Sequence, residues 1–361
     1  MAFAGIGDAI LYSVLPVYAN ELAIPVFWVG ILLSVNRFTR VIANPWIANQ
    51  IRKIGIRPMM IISSGIAVLT SLMYGMSLGI VTFLVIRILW GLAYSAMKSV
   101  TLRVAGMYEK SKGFAFGISQ SIKSLGTLIA FLMGPYIINL FGVSTGFLII
   151  GLLSVVAILF ALRLYNYHVL EEKVSYQQVF SLSSINLLVF IISFSVDGIL
   201  VVILAFVFRP FAIDNGELLL IVSNFILLNR LFLVFVSLAG GFISKRYSIL
   251  KLFRFAVILV IIGFGCVFFD QLIVGVIVIF LGNAFVISFA PALSISEYNQ
   301  LQFISSVSTW WDLGAGIGAL VGITMIQLLG QPSLILTVIT FVVVLFFNFI
   351  IQNAYTNRQF V

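Results

Sequence analysis

Three aspartates stand inside long apolar stretches of the chain: Asp8 in GDAIL, Asp197 in VDGIL and Asp312 in TWWDLGAG. A carboxyl in poorly hydrated surroundings can take up a proton in one conformation and release it in another, which makes these three the candidates for proton coupling. Glu297, near the end of its apolar run, is a weaker fourth. A neighbouring arginine pulls the other way, and a permanently ionised pair such as Asp8 with Arg40 is the structural alternative. The cations suggest a complementary chemistry. At about 100° per residue, Arg87, Gly91, Tyr94 and Lys98 share a narrow arc of one helix, with Gly91 lowering the wall between the charges. Gln120, Lys123 and Thr127 make a second polar stripe. Charges turned to lipid are costly, so both stripes should face a wet cavity or a counter-ion. Arg87, Tyr94, Lys98, Gln120 and Lys123 are therefore read as an electropositive substrate-binding surface suited to a carboxylate, with Trp310 and Trp311 adding flat apolar contact. Lys98 also has a plainer reading, in which its long stem lets the charge reach the membrane surface.

Composition sets the elements that must position these residues. Hydrophobic residues make up 62% of the 361 and charged residues 9%, with a mean hydropathy of +1.22. That leaves far too little polar surface to enclose a water-soluble core, so the chain is an integral membrane protein in contact with the lipid bilayer. The formal charge of +9 does not point to nucleic acid, because most of the cations punctuate apolar runs. The single cysteine, Cys266, excludes a disulfide framework and a thiolate metal cluster. The sequence has no Gly-x-x-x-x-Gly-Lys-Ser/Thr phosphate loop, no cluster of metal ligands and no nucleophile, histidine and acid arrangement. It argues against an enzyme and calls for no metal or cofactor, and no obligate protein partner is indicated.

Apolar runs cover roughly 4–24, 28–49, 58–77, 81–101, 113–137, 144–164, 185–208, 218–243, 252–269, 272–293, 302–327 and 333–352. Each is near the ~20 residues a helix needs to cross hydrocarbon, and strand alternation is absent. The expected fold is all-α, with twelve transmembrane helices in two six-helix pseudo-symmetric bundles, residues 1–165 and 185–352. A cytoplasmic linker, 166–184, joins them, and a cytoplasmic tail, 353–361, follows. His168, the sole histidine, falls in the linker and reads as solvent-facing. Lysine and arginine gather on one side of the membrane, whereas the loops of the other side hold Arg209 alone, which places both termini in the cytoplasm. Residues 1–5 lack a basic region and no cleavage site follows, so no signal peptide is expected. Asp8 lies only about four residues into the first run and Asp197 about twelve into the seventh. The first helix should therefore be truncated in this sequence or begin at the membrane itself.

The two halves repeat one another. Asn36 and Asn229, Arg37 and Arg230, Ala48 and Gly241, and Lys53 and Arg246 are each 193 apart. Asp8 and Asp197 are 189 apart, and Leu125-Gly126 and Leu313-Gly314 are 188 apart. Paired bundles suit alternating access, because the space between them can open to either side without breaking either bundle. The recurrence of Arg37 and Arg230 beside their asparagines favours a gating role over substrate contact.

These features resemble the major facilitator superfamily across essentially the whole chain. The family pattern between the second and third helices appears as Ala48, Arg52, Lys53, Gly55 and Arg57, with its first glycine and its acid replaced. Its echo in the second half is Gly241, Lys245, Arg246 and Ser248. Arg87 and Gly91 match the family's Arg-x-x-x-Gly pattern, while Gly117, Gly126 and Gly134-Pro135 partly match a glycine-rich pattern common among its exporters. Such glycines equally serve close helix packing. The resemblance implies gating by Arg52, Lys53, Gly55, Arg57, Gly241, Lys245 and Arg246, and the repeated positions Asn36, Arg37, Asn229 and Arg230, with Arg40 a turn beyond Asn36, complete the expected gating set.

The sequence thus reads as a secondary transporter in a bacterial inner membrane. Proton-coupled export of a small carboxylate-bearing or amphipathic solute is its leading function. An importer of a metabolite anion, and a non-transporting membrane sensor or assembly protein, are the alternatives.

Overall fold

Each long apolar run becomes a helix up to the point where the chain can turn, and glycines supply the sharpest turns. The computed structural model describes residues 1–76, 79–106, 112–165, 180, 182–243, 246–290, 293 and 300–358. A 3-10 turn, Phe3–Gly5, leads into α1 (Ile6–Tyr18). Helices α2 (Val26–Ile54) and α3 (Ile56–Met73) are separated by Gly55 alone, whose φ of 96° favours glycine. The basic loop expected there is a one-residue corner. Arg52 and Lys53 belong to the last turn of α2, where cations complement the helix dipole, and Arg57 opens α3.

Helices α4 (Ile80–Gly106), α5 (Lys112–Ser154) and α6 (Val156–Leu162) follow. The second half begins with α7 (Ser184–Ser193), capped by the Ser183 hydroxyl accepting from the Asn186 amide. It runs into a π-helical segment, Phe194–Leu200, and then α8 (Val201–Phe208). Then come α9 (Asn215–Ile243), α10 (Ile249–Phe268), α11 (Leu272–Phe289) and α12 (Gln300–Arg358). Both α5 and α12 turn sharply inside their length, at Gly142 (φ 77°) and Gly330 (φ 73°), 188 residues apart. The repeat offset seen in the side chains therefore also fixes where the backbone bends.

Among the described residues nine helices are long and apolar enough to cross a membrane. Large apolar side chains stand on their outer faces, with Ile42 71%, Leu140 77% and Leu328 78% exposed. Lipid can cover such faces, and a helix satisfies its own backbone there. The protein is an all-α, multi-pass membrane helical bundle.

The chain forms two compact units. The first is Met1–Ser175 with Leu204–Leu227, and the second is Tyr176–Ile203 with Leu228–Val361. In the first, Trp90 and Ala93 of α4 pack on Ala67 of α3 and Ala157 of α6. Its second-half segment is tied in by polar contacts: Asn139 Nδ2 donates to the Gly216 carbonyl at 3.2 Å, and Asn215 Nδ2 donates to Glu21 at 3.2 Å. In the second unit, α12 packs along α7 and the π-helical segment, and α10 pairs with α11.

Candidate functional site

In the first unit one arginine joins four chain segments. Arg87 of α4 is wholly buried. Its Nε donates to the Leu32 carbonyl of α2 at 2.7 Å, and its Nη1 donates to the Tyr74 hydroxyl at 3.1 Å, just beyond α3. The same Nη1 forms an ion pair with Asp8 of α1. Tyr12 lies beneath two guanidinium groups, 5.8 Å from Arg87 and 5.3 Å from Arg37, and Asn36 Nδ2 donates to its hydroxyl at 3.4 Å. A buried pair with further hydrogen bonds fixes the arrangement of the helices around it, because removing either partner strands a charge. Of the two settings the stripe called for, a wet cavity or a counter-ion, Arg87 has the counter-ion: it lies in the core and pairs with Asp8.

The other cations of this unit gather about Tyr94, about two turns further along α4. The Arg40 guanidinium stands 4.6 Å from the Tyr94 ring centroid and Lys123 Nζ 5.6 Å from it, with Lys98 also close. Tyr94, Lys98 and Lys123 are half-buried, unlike Arg87. Gly91 does not lower a cavity wall. A Cβ there would stand 2.7 Å from the Asn36 carbonyl oxygen and 2.8 Å from Thr39 Cβ, so it is the contact where α4 crosses α2. The α5 glycines likewise serve packing: Gly126 faces the Ala2 carbonyl and Gly134 the Ile10 side chain.

The second unit holds its carboxylate differently. Asp197, 7% exposed, lies in the middle of the π-helical segment. Its Oδ2 accepts from Trp311 Nε1 at 2.8 Å and its Oδ1 from Asn283 Nδ2 at 3.3 Å. The Ser193 hydroxyl donates to the Trp311 carbonyl at 2.6 Å, tying α7 to α12 beside the acid. A Cβ on Gly198 would stand 2.6 Å from Gly318 Cα, so α12 meets the π-helical segment backbone to backbone. Asp312 is also buried. Trp310 sets its ring edge-on to Phe190, with centroids 6.0 Å apart.

Of the expected gating residues, Asn36, Arg37, Arg40 and Asn229 are buried, Arg52 and Arg230 are half-buried, and Lys53, Arg57 and Arg246 are exposed. Gly241 lies inside α9. Lys245, His168, Glu297 and the side chain of Gln120 lie outside the described residues. Sequence reasoning missed Tyr12, Tyr74 and Asn283. Asn283 had a signal, being one of two polar side chains in the apolar stretch LIVGVIVIFLGNAFVISF, whereas the pairing of Tyr74 with Arg87 across 13 residues and two helices had none.

Comparisons with known proteins agree with this architecture. The fold is similar to that of the human organic anion transporter MFSD10 (TETRAN), with a TM-score of 0.71 and 14% identity over 96% of each chain. It is also similar to that of a point mutant of the nucleoside transporter NupG, with a TM-score of 0.73 and 14% identity over 97% of each chain. No curated protein sequence matches. The family description "Major Facilitator Superfamily" matches residues 1–299. With that match spanning most of a multi-pass helical chain, the protein belongs to the Major Facilitator Superfamily, a family of membrane carriers for small solutes and not of enzymes.

Proposed function

We propose that this carrier exports a small carboxylate-bearing or amphipathic solute in exchange for protons. The observation that carries this reading is the set of three cations, Arg40, Lys98 and Lys123, around the half-buried ring of Tyr94. Positive charge held inside a membrane protein favours an anionic ligand, and the phenol adds a flat face for its apolar part. One fold relative is described as an organic anion transporter, which accords with such cargo. The direction of transport rests on the exporter-like glycines Gly117, Gly126 and Gly134.

Asp197 is the leading proton carrier in this reading. A proton taken up at Asp8 must break an ion pair in the core, whereas Asp197 accepts from an amide and an indole within an irregular helical turn. Asp312, beside Trp311, is the second candidate. The helices divide into twelve spans in two sets of six once α5 and α12 are counted on either side of Gly142 and Gly330 and short α1 is included. Access alternates between the two membrane faces, with both termini cytoplasmic in a bacterial inner membrane. Arg37, Arg230 and the basic helix ends gate it. The bonds from Asn139 to Gly216 and from Asn215 to Glu21 part when that end of the first unit opens.

Proteoliposomes containing the full chain, challenged with a panel of organic acids and cationic drugs, test this reading. Proton flux opposite to an organic acid, lost in Asp197→Asn, is the expected result. Flux with cations alone, or none with any solute despite folded and oriented protein, would sink it.

A further inference from the structure

Three aromatic residues of the second unit, Phe190, Phe194 and Trp310, stand where the first has aliphatic ones. Phe190 and Phe194 stand one turn apart on the helix that carries Asp197, their rings stacked with centroids 6.1 Å apart and planes at 20°. Trp310 of α12 meets Phe190 edge-on at 6.0 Å and 83°. All three are half-buried, so part of each side chain stays exposed. Gly314 and Gly318 press against the Phe190 and Phe194 carbonyls with no room for a Cβ, so the two helices meet there backbone to backbone.

The same crossing exists in the first unit, where Gly126 presses against the Ala2 carbonyl. At the offset of 188, Phe190, Phe194 and Trp310 correspond to Ala2, Ile6 and Ile122. Aliphatic side chains therefore suffice to build this helix pair, and the rings of the second unit answer to something else. The neighbouring indoles differ as well. Trp311 spends its N–H on Asp197, whereas Trp310 Nε1 is shut off from solvent and has no acceptor among the described residues. A buried donor without a partner is costly, and its retention points to an acceptor that arrives with a ligand.

We infer that Phe190, Phe194 and Trp310 form a subsite for a flat aromatic group bearing a hydrogen-bond acceptor. The ring packs on the phenylalanines, and its acceptor takes the Trp310 N–H once the indole turns its buried edge toward the ligand. This deepens the proposed function and rests on it: the cargo class narrows from organic acids to aromatic acids. Occupancy beside Trp311 also sets the ligand next to the indole that holds Asp197.

The test is calorimetric titration of the purified full chain with 2-naphthoate and with its saturated decahydro counterpart, two acids of equal charge and similar shape. Naphthoate is expected to bind on the order of tenfold more tightly. In the double variant Phe190→Leu with Phe194→Leu the ratio falls to about one, and Trp310→Phe, which keeps a ring but deletes the donor, weakens naphthoate about fivefold. Equal affinities of the native chain for the two acids would overturn the subsite and leave the organic-acid reading standing. Binding of neither acid would overturn both. A native preference that survives in the double variant would place the aromatic contact elsewhere and also overturns the assignment.

Discussion

Asp8 and Asp197 occupy matching places in the two halves, yet each is held by a different chemistry. Around Asp8 the partners are a guanidinium and, through it, a phenol and a backbone carbonyl. Around Asp197 they include an amide and an indole, within a π-helical turn. The repeat offset of 188 makes the contrast sharper, since Lys123 of the first half corresponds to Trp311 of the second. A duplicated scaffold thus supports two tasks: a charge-compensated joint with a cationic surface near it, and a carboxyl that accepts from an amide and an indole in an irregular helix. Irregular turns of this kind recur at functional sites because they re-aim side chains that a regular helix would point elsewhere.

The contrast is broken most directly at Arg87. Arg87→Ala leaves Asp8 buried and uncompensated and is expected to cost about 3–5 kcal/mol of stability. Thermal unfolding in detergent measures it, and the double variant Arg87→Met with Asp8→Asn should recover much of the loss. If the single variant were as stable as the double, the joint would be no joint.

Asp197→Asn probes the other side. It keeps the volume and one of the two acceptor oxygens but turns an NH2 group toward the other donor, so unfolding should shift by about 1–3 kcal/mol, while proton-driven transport drops at least about tenfold and solute exchange persists. Loss of exchange together with proton-driven transport would assign Asp197 to solute contact.

Packing separates the units less. Gly318→Ala must push apart two backbones and should cost about 1–3 kcal/mol, against a gain of up to about 1 kcal/mol for Gly65→Ala, which lies inside α3 with open space around it. A smaller change is expected at the cationic surface. Lys123→Gln should weaken an organic acid about fivefold in equilibrium binding at low salt, by removing one of the three charges around Tyr94. The same substitution should leave a neutral solute unaffected. Gly55→Ala, at a positive φ in the corner between α2 and α3, should cost about 1 kcal/mol in the unfolding assay.

Much of this molecule is legible along the chain because lipid imposes simple rules. Long apolar runs must be helices, and a duplicated sequence keeps its spacing, so the matching of Asp8 with Asp197 and of Gly126 with Gly314 appears without coordinates. Gly142 and Gly330 obey the same offset, although the positive φ that turns the chain there is a fact of the backbone. The candidate site is less legible. Helical periodicity placed Arg87, Gly91, Tyr94 and Lys98 on one stripe but could not say what faces it, and α2 covers its first half while the cations lie along its second.

What the amino-acid sequence determined by itself is the medium, the helices and the repeat, because hydropathy and spacing act locally and need no partner to be recognised. Tertiary structure alone decided which charge meets which. Arg87 reaches Asp8 across 79 residues and Trp311 reaches Asp197 across 114. Such pairings depend on how helices rotate and cross, which close-packed glycines and a π-helical turn fix only when the whole unit is assembled.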